Sequence, residues 1–254
     1  MVLVSVPFLA HSQSSEFSMT PTGDPGSIKV VVGNLYSNIE IVGTSQGEIR
    51  IESEGYEGLP EKAAGLRPLS ATGPENTGIG LHVSQDGTEI KVSGSSRRSS
   101  EADYTIYLPK QINVEVEFNS FQAGDVVVKS MASEVEIQSK IGDLRFEDVT
   151  GPIVASTLSA DIELVFSSLS QAGPTSITST SGDIDVTLPA NTAGDFDMST
   201  TSGEVYTDMD FEFSDEDGLR RWGGGMSADA KLNGGGVAVV LRSVSGDIFI
   251  RKEK

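Results

Sequence analysis

One short pattern constrains this chain more than any other: Ser or Thr, two residues, Gly, an acidic residue, then an apolar one. It is clearest at Ser179-Thr180-Ser181-Gly182-Asp183-Ile184. The Gly-acid pair occurs at Gly124-Asp125, Gly142-Asp143, Gly182-Asp183, Gly203-Glu204 and Gly246-Asp247, and Ala160-Asp161 fills the same slot. The steps are 142 − 124 = 18, 160 − 142 = 18, 182 − 160 = 22, 203 − 182 = 21 and 246 − 203 = 43 residues, the last about two periods. A fixed period near ~20 residues is the mark of a repeat array.

Positions seven, five and three before each Gly share parity, and on a strand they share a face. They hold Val135, Ile137 and Ser139 in one unit, Thr175, Ile177 and Ser179 in another, and Val239, Leu241 and Ser243 in the last. Apolar residues alternate again after the acid, as in Ile162 and Leu164, Ile184 and Val186, and Ile248 and Ile250. Each unit therefore reads as a strand, a tight turn and a second strand. Gly accommodates positive φ in such a turn, and the acid can bond turn amides. One unit cannot bury its apolar face alone, so the units must stack and share a core. The reading is all-β: a parallel β-helix or β-solenoid, right-handed, with rungs of about 20 residues. No apolar stripe of helical period is sustained, and the abundance of Val, Ile, Thr and Gly (28 of 254 residues) agrees with strands and turns.

Charge and cysteine usage narrow the function. The net charge of −19 opposes binding to a phosphate backbone or an anionic membrane surface. With no Cys there is no disulfide, thiolate metal site or Cys nucleophile, and only two His are present, His11 and His82. No metal site and no cofactor is expected.

Residues 1–12 read as a signal peptide: Val2 to Ala10 is apolar and Ala10-His11-Ser12 supplies small residues for cleavage before Gln13. The alternative is a buried N-terminal strand. Residues 13–27 read as a linker because of Pro21, Gly23, Pro25 and Gly26. The β-solenoid then occupies 28–254, with insertions at 54–78 and 208–236. The first insertion carries Pro60, Pro68 and Pro74, with a short helical turn expected between Glu61 and Leu66. Ser93 to Ser100, which includes Arg97 and Arg98, reads as a polar turn and solvated hairpin tip, the alternative being an Arg pair that binds an anionic glycan.

The repeat units, the run Ile184-Asp185-Val186-Thr187-Leu188-Pro189, the closing Ser243-Val244-Ser245-Gly246-Asp247-Ile248-Phe249-Ile250 and Tyr104-Thr105-Ile106-Tyr107-Leu108-Pro109 resemble the bacterial "putative adhesin" β-strand-repeat family. That family is an envelope-associated domain of unknown function. The resemblance covers about residues 28–252 and is strongest from 103 on. It implies a β-solenoid and an exported protein, and it brings no catalytic residues.

Four constellations could carry chemistry. The acids Asp125, Asp143, Asp161, Asp183, Glu204 and Asp247 would form a ladder at the ~4.8 Å strand spacing. Neighbouring carboxylates would then repel by about 1 kcal/mol in water and about 3.5 kcal/mol at an effective dielectric near ~20. They are therefore expected at the surface, bonded to turn amides, and not around calcium, whose nonapeptide motif is absent. The hydroxyls Ser139, Thr157, Ser179, Thr200 and Ser243 share the core-facing parity and are expected to be buried and hydrogen-bonded. The pairs Asp183/Asp185, Asp195/Asp197 and Asp208/Asp210 have a spacing of about 6.7 Å along a strand, near that of inverting glycosidases. They lack basic or aromatic substrate contacts, so no catalytic residue is assigned. Finally, Arg220, Arg221 and Trp222 in the second insertion could form an interaction tip for an acidic or carbohydrate partner, the alternative being a mobile acidic loop with Gly hinges. The functional expectation is a non-enzymatic exported scaffold or adhesion module of the cell envelope, in the periplasm, at the cell surface or secreted, its partner an envelope protein or carbohydrate. A glycan-binding or glycan-active β-helix is the alternative.

Overall fold

The computed structural model describes residues 16–214 and 218–254. The expected signal peptide, His11, and the acids Asp215, Glu216 and Asp217 lie outside the described residues. The strands, in chain order, are β1 (Glu16–Met19), β2 (Lys29–Gly33), β3 (Ile39–Thr44), β4 (Ile49–Glu54), β5 (Leu81–Asp86), β6 (Glu89–Gly94), β7 (Asp103–Pro109), β8 (Asn113–Phe118), β9 (Val126–Lys129), β10 (Val135–Ile141) and β11 (Leu144–Val149). They continue with β12 (Ile153–Ser159), β13 (Ile162–Phe166), β14 (Thr175–Ser181), β15 (Ile184–Leu188), β16 (Gly194–Ser202), β17 (Val205–Thr207), β18 (Glu212–Phe213), β19 (Leu219–Trp222), β20 (Gly225–Leu232), β21 (Ala238–Ser245) and β22 (Ile248–Lys252). Three 3-10 turns, at Pro25–Ser27, Glu61–Ala63 and Arg97–Glu101, are the helical elements among the described residues.

The strands form two long sheets. One has the order β1-β4-β7-β3-β9-β11-β13-β15-β22-β17; the other runs β18-β20-β16-β21-β14-β12-β10-β8-β2-β6-β5. The interior of both is parallel and in register. Ile137 lies beside Ala155, Ala155 beside Ile177 and Ile177 beside Leu241, while Leu144, Ile162, Ile184 and Ile248 follow one another in the facing sheet. A rung is one strand from each sheet joined by the Gly-acid turn, so the architecture is all-β and β-solenoid-like.

Stacking order departs from chain order at both ends. The sequence leaves a 43-residue step between Gly203 and Gly246, which reads as two periods, but the rung β21–β22 does not follow β16–β17. It is inserted beneath it: β21 pairs with β14 on one side and β16 on the other, and β22 lies between β15 and β17. Likewise β2–β3 lies between β6–β7 and β8–β9. A repeat motif is the same whichever neighbour it meets, so its sequence cannot report this order.

The alternating side chains fill the space between the sheets. Ile137, Ile177, Met198, Leu241, Ile162, Ile184 and Ile248 are all buried, with Phe118, Phe146 and Phe166 filling wider gaps. Parallel edges would template aggregation if left open, and antiparallel strands cover most of them. β4 and then β1 extend the first sheet past β7, β5 closes the second past β6, and β20 lies along β16 from Gly194 to Thr200. Within residues 13–27, described from Glu16 on, a short strand is present. Glu16–Met19 pairs with β4, and Phe17 and Met19 pack against the core. The 54–78 insertion is irregular but anchored: Thr77 Oγ1 donates to the Leu81 carbonyl (3.0 Å) and Asn76 exchanges two bonds with Val83. The described part of 208–236 is no loose loop. It contains β18, β19 and β20 and buries Ala228, Ala230 and Leu232.

Candidate functional site

The acids form a continuous hydrogen-bonded ladder along one edge of the coil. Asp143 N–H donates to Asp125 Oδ1 (2.9 Å), Asp161 N–H to Asp143 Oδ1 (3.1 Å) and Asp183 N–H to Asp161 Oδ1 (2.8 Å). Asp247 N–H then donates to Asp183 Oδ1 (2.7 Å), and Glu204 N–H to Asp247 Oδ1 (2.8 Å). The order 183–247–204 is the inserted rung seen from the turn. In the other direction Asp125 N–H donates to Asn38 Oδ1 (3.1 Å) and Asn38 N–H to Asp103 Oδ1 (3.3 Å). The Asp carboxylates of the ladder thus bond the amide of the next rung, not an amide of their own turn, which corrects the sequence-based picture, and Glu204 ends the row. Carbonyls complete the ladder, Ile162 N–H donating to the Asp183 carbonyl and Ile184 N–H to that of Asp247. Asn38 and Asp103 belong to the ladder although no Gly precedes them; the fold identifies them by register.

The turns themselves differ. Gly142 (φ 89°) and Gly182 (φ 148°) take positive φ, and a Cβ on either would meet the backbone of the preceding rung. Ala160 and Gly124 have no such φ. Ala160 carries a Cβ and keeps an ordinary backbone, yet Asp161 still makes its ladder bond, so a side-chain oxygen, from an acid or from Asn38, rather than the Gly recurs along the ladder.

The hydroxyl row lies inside. Ser139, Thr157, Ser179, Thr200 and Ser243 are buried. Ser179 Oγ donates to the Ala160 carbonyl (3.3 Å), Ser243 Oγ to Gly182 (3.3 Å) and Thr200 Oγ1 to Gly246 (2.9 Å), each reaching across to the neighbouring rung. Ser139 bonds within its own rung, to the Ile141 carbonyl. Thr157 Oγ1 has no hydrogen-bond partner among the described residues.

The carboxylate pairs are tied into the scaffold. Asp185 receives the Arg251 guanidinium through Nε (2.9 Å) and Nη2 (2.9 Å), Asp197 receives Arg242 (2.7 Å), and Asp208 Oδ1 accepts from Lys252 N–H (2.7 Å). Among the described residues no cluster of three or more His, Asp or Glu side chains is arranged to hold a metal ion.

Arg220, Arg221 and Trp222 sit on β19, an exposed strand that turns directly into β20. Trp222 is half exposed, and Arg221 Nη2 reaches Glu204 Oε2 at 3.2 Å, which links the tip to the end of the acid ladder. Trp222 stacks on no other aromatic ring among the described residues. The exposed aromatic pair lies elsewhere: Tyr206 and Phe249 stack at 5.3 Å on the outer face of the first sheet, with Arg251 over Phe249.

Sequence reasoning missed a large recess. A cleft of about 850 Å³ opens where the 54–78 insertion meets the turns after β2 and β6. Tyr36, Ser70, Thr72, Arg97, Glu101 and Gln122 line it. Residues 97–101 form a 3-10 turn on its wall rather than a free hairpin tip, held by Arg98 Nη1 on the Gly58 carbonyl (3.2 Å) and by Ser99 Oγ on that of Ser96 (2.6 Å). The sequence signal was Arg97 in a hydroxyl-rich stretch; what it could not supply was the opposite wall.

Two crystal structures are similar to the chain. One is a "putative cell adhesion protein" from Clostridium sporogenes, at 12% identity and a TM-score of 0.44, covering 94% of this chain and 99% of that one. The other is a "putative adhesin" from Bacteroides fragilis, at 13% identity and a TM-score of 0.43, covering 94% and 96%. Comparison with curated proteins finds no match. The sequence pattern of one family covers residues 42–251, from β3 to the last strand, and on that match the chain belongs to the Toastrack DUF4097 family.

Proposed function

We propose that this protein is a non-enzymatic, exported β-solenoid that works as a scaffold or adhesion module of the cell envelope. Its coil is right-handed with rungs of about 20 residues, and residues 1–12 are its signal peptide. The observation that carries this reading is the acid ladder. The most regular chemical feature of the sequence is bonded from rung to rung between Asp103 and Glu204, so it holds the stack together rather than poising carboxylates for reaction. Recognition then belongs to what projects from the stack: the cleft beside the first insertion, and the tip of Arg220, Arg221 and Trp222. No helix among the described residues is long and apolar enough to cross a membrane, and the partner is an envelope protein or carbohydrate.

Two measurements test this. The first follows a C-terminally tagged full chain through fractionation of a bacterial host and sequences its N-terminus. Recovery beyond the inner membrane, starting at Gln13, is expected; recovery in the cytoplasm with residues 1–12 attached sinks the export reading. The second measures binding of the purified protein to washed cell envelopes. Saturable binding is expected, reduced in Trp222→Ala, and a parent protein that does not bind defeats the adhesion reading. The second reading, a glycan-binding β-helix, is favoured by the polar cleft.

A further inference from the structure

We propose that the cleft between the first insertion and the Arg97–Glu101 turn is a binding site for a carboxylated saccharide, a glycan containing uronic acid. This deepens the adhesion reading and rests on it. Arg97 takes the carboxylate, Tyr36 lies against a sugar ring, and Glu101, Gln122, Ser70 and Thr72 hydrogen-bond the ring hydroxyls.

The first argument is the state of Arg97. The protein carries a charge of −19, and most of its arginines are engaged. Arg50, Arg145, Arg221, Arg242 and Arg251 each bind a carboxylate, and Arg98 binds a backbone carbonyl. Arg97 is exposed on the cleft wall and makes no ion pair or hydrogen bond among the described residues. Glu101, one turn away on the same wall, does not pair with it. A guanidinium fork facing a recess is suited to a planar carboxylate, which it holds through two parallel bonds.

The second argument is the rest of the lining. About 850 Å³ lies within the ~300–1,000 Å³ typical of small-ligand sites. Hydroxyls, amides and the charged Arg97 and Glu101 make up most of the walls, with Leu69 and Ala71 as aliphatic members, so the cleft suits a ligand that is polar over most of its surface and apolar on part of it. Tyr36, 42% exposed, supplies an aromatic face with a polar end for the C–H side of a sugar ring. The walls are also held in place: Thr72 Oγ1 donates to the Gly94 carbonyl (2.9 Å) and accepts from Ser70 Oγ (2.9 Å), and Ser37 Oγ donates to the Ser99 carbonyl (2.8 Å). Pre-formed walls lower the ordering cost of binding.

Two other surfaces were weaker. The aromatic pair Tyr206–Phe249 borders a recess of about 410 Å³, but its guanidinium, Arg251, already holds Asp185. The ladder acids already accept amide bonds. Arg97, by contrast, is a guanidinium that lines its recess and makes no ion pair or hydrogen bond among the described residues.

The test is calorimetric titration of the full chain with trigalacturonate and, separately, with its methyl ester, which keeps the shape and removes the charge. Trigalacturonate is expected to bind one to one, and the ester about tenfold or more weaker, as loss of a charge-assisted bond implies. Arg97→Ala should lower trigalacturonate affinity by about the same factor and leave ester binding unchanged. Arg97→Lys should recover part of the loss, because it restores the charge without the fork. Tyr36→Ala should weaken both ligands, and Arg145→Ala neither. Arg97 holds no partner in the fold, so an unchanged unfolding midpoint is expected for its variants. Equal binding of acid and ester, or full affinity in Arg97→Ala, overturns the proposal. A parent that binds washed envelopes but not trigalacturonate overturns this site and leaves the adhesion reading standing. A parent that binds neither overturns both.

Discussion

At the scale of single residues, the ladder separates what the Gly-Asp motif does from what it resembles. The ladder atom is one side-chain oxygen, and Asn38 shows that an amide oxygen serves as well as a carboxylate. Asp161→Asn should therefore hold the stack within about 0.5 kcal/mol of the parent, since the acceptor stays and like-charge repulsion falls. Asp161→Ala deletes the acceptor of the Asp183 amide and should cost about 0.5–1.5 kcal/mol. Urea unfolding of the two variants checks this, and an Asn variant as damaged as the Ala one would show that charge matters. Tyr104 makes a second point. It is buried, and its hydroxyl donates to the Ile79 carbonyl at 2.9 Å. Burial above all, with Tyr56 and Glu75 nearby, pushes its phenol well above the ordinary tyrosine range. A folded pKa above the unfolded one means that the unfolded chain releases the proton first. This stabilisation is complete below pH ~10, the unfolded value, and is lost as pH climbs from there toward the folded value. Tyr104→Phe should cost about 1–2 kcal/mol at neutral pH, because the buried carbonyl loses its donor, and should flatten the decline in stability above pH ~10. Chemical denaturation at pH 7 and across the alkaline range measures both.

At the scale of elements, the strands were legible and their covers were not. Alternation placed Ile137, Ile177 and Leu241 in the core, and the parity of Ser139, Ser179 and Ser243 placed their hydroxyls beside them, because a strand has only two faces. The same logic is silent for β20. Its Gly225-Met226-Ser227-Ala228-Asp229-Ala230-Lys231-Leu232 is small and polar, with the flanking glycines of a loop, yet it pairs with β16 over seven residues. Pairing to an existing edge is a tertiary preference that outweighs local propensity. The cleft was illegible for a related reason: Arg97 and Tyr36 are 61 residues apart, and the β2–β6 and β3–β7 pairings bring their turns together. The cover β20 buries Leu232, and Phe196 meets Phe211 edge-on at 5.0 Å behind it. Leu232→Ala should therefore destabilise by about 2–5 kcal/mol, a core-type loss from a segment that reads as a loop. A loss below about 0.5 kcal/mol in thermal or urea unfolding would return this segment to the loop class.

At the scale of the whole molecule, the inserted rungs decide how the stack is closed. In a solenoid stacked in chain order, removing the last rung only shortens the array, because each repeat touches its neighbours alone. Here the last strands lie one rung in from the end. β21 lies between β14 and β16, and β22 between β15 and β17, so the C-terminal 18 residues (254 − 236) join two parts of the stack that do not otherwise pair. Loss of residues 237–254 would leave β14, β15, β16 and β17 each with an open parallel edge and would strip Leu241, Ile248 and Ile250 from the core. A chain ending at residue 236 is thus expected to lose its single cooperative transition, with β16–β20 unfolding apart from the remainder. Removing β1, which only covers the opposite end, should leave cooperativity intact. The gap left by the truncation has the register of one rung, with unpaired amides and carbonyls on both sides. A synthetic peptide of residues 237–254 should fill it by strand addition and restore the transition in a concentration-dependent way. Hydrogen exchange read by mass spectrometry resolves the outcome: protection should return in β14 and β16 together when the peptide is added. A truncated chain that keeps a sharp transition near the parent's midpoint, or a peptide that protects only one of those two strands, would show that the rungs on either side can close on each other without it.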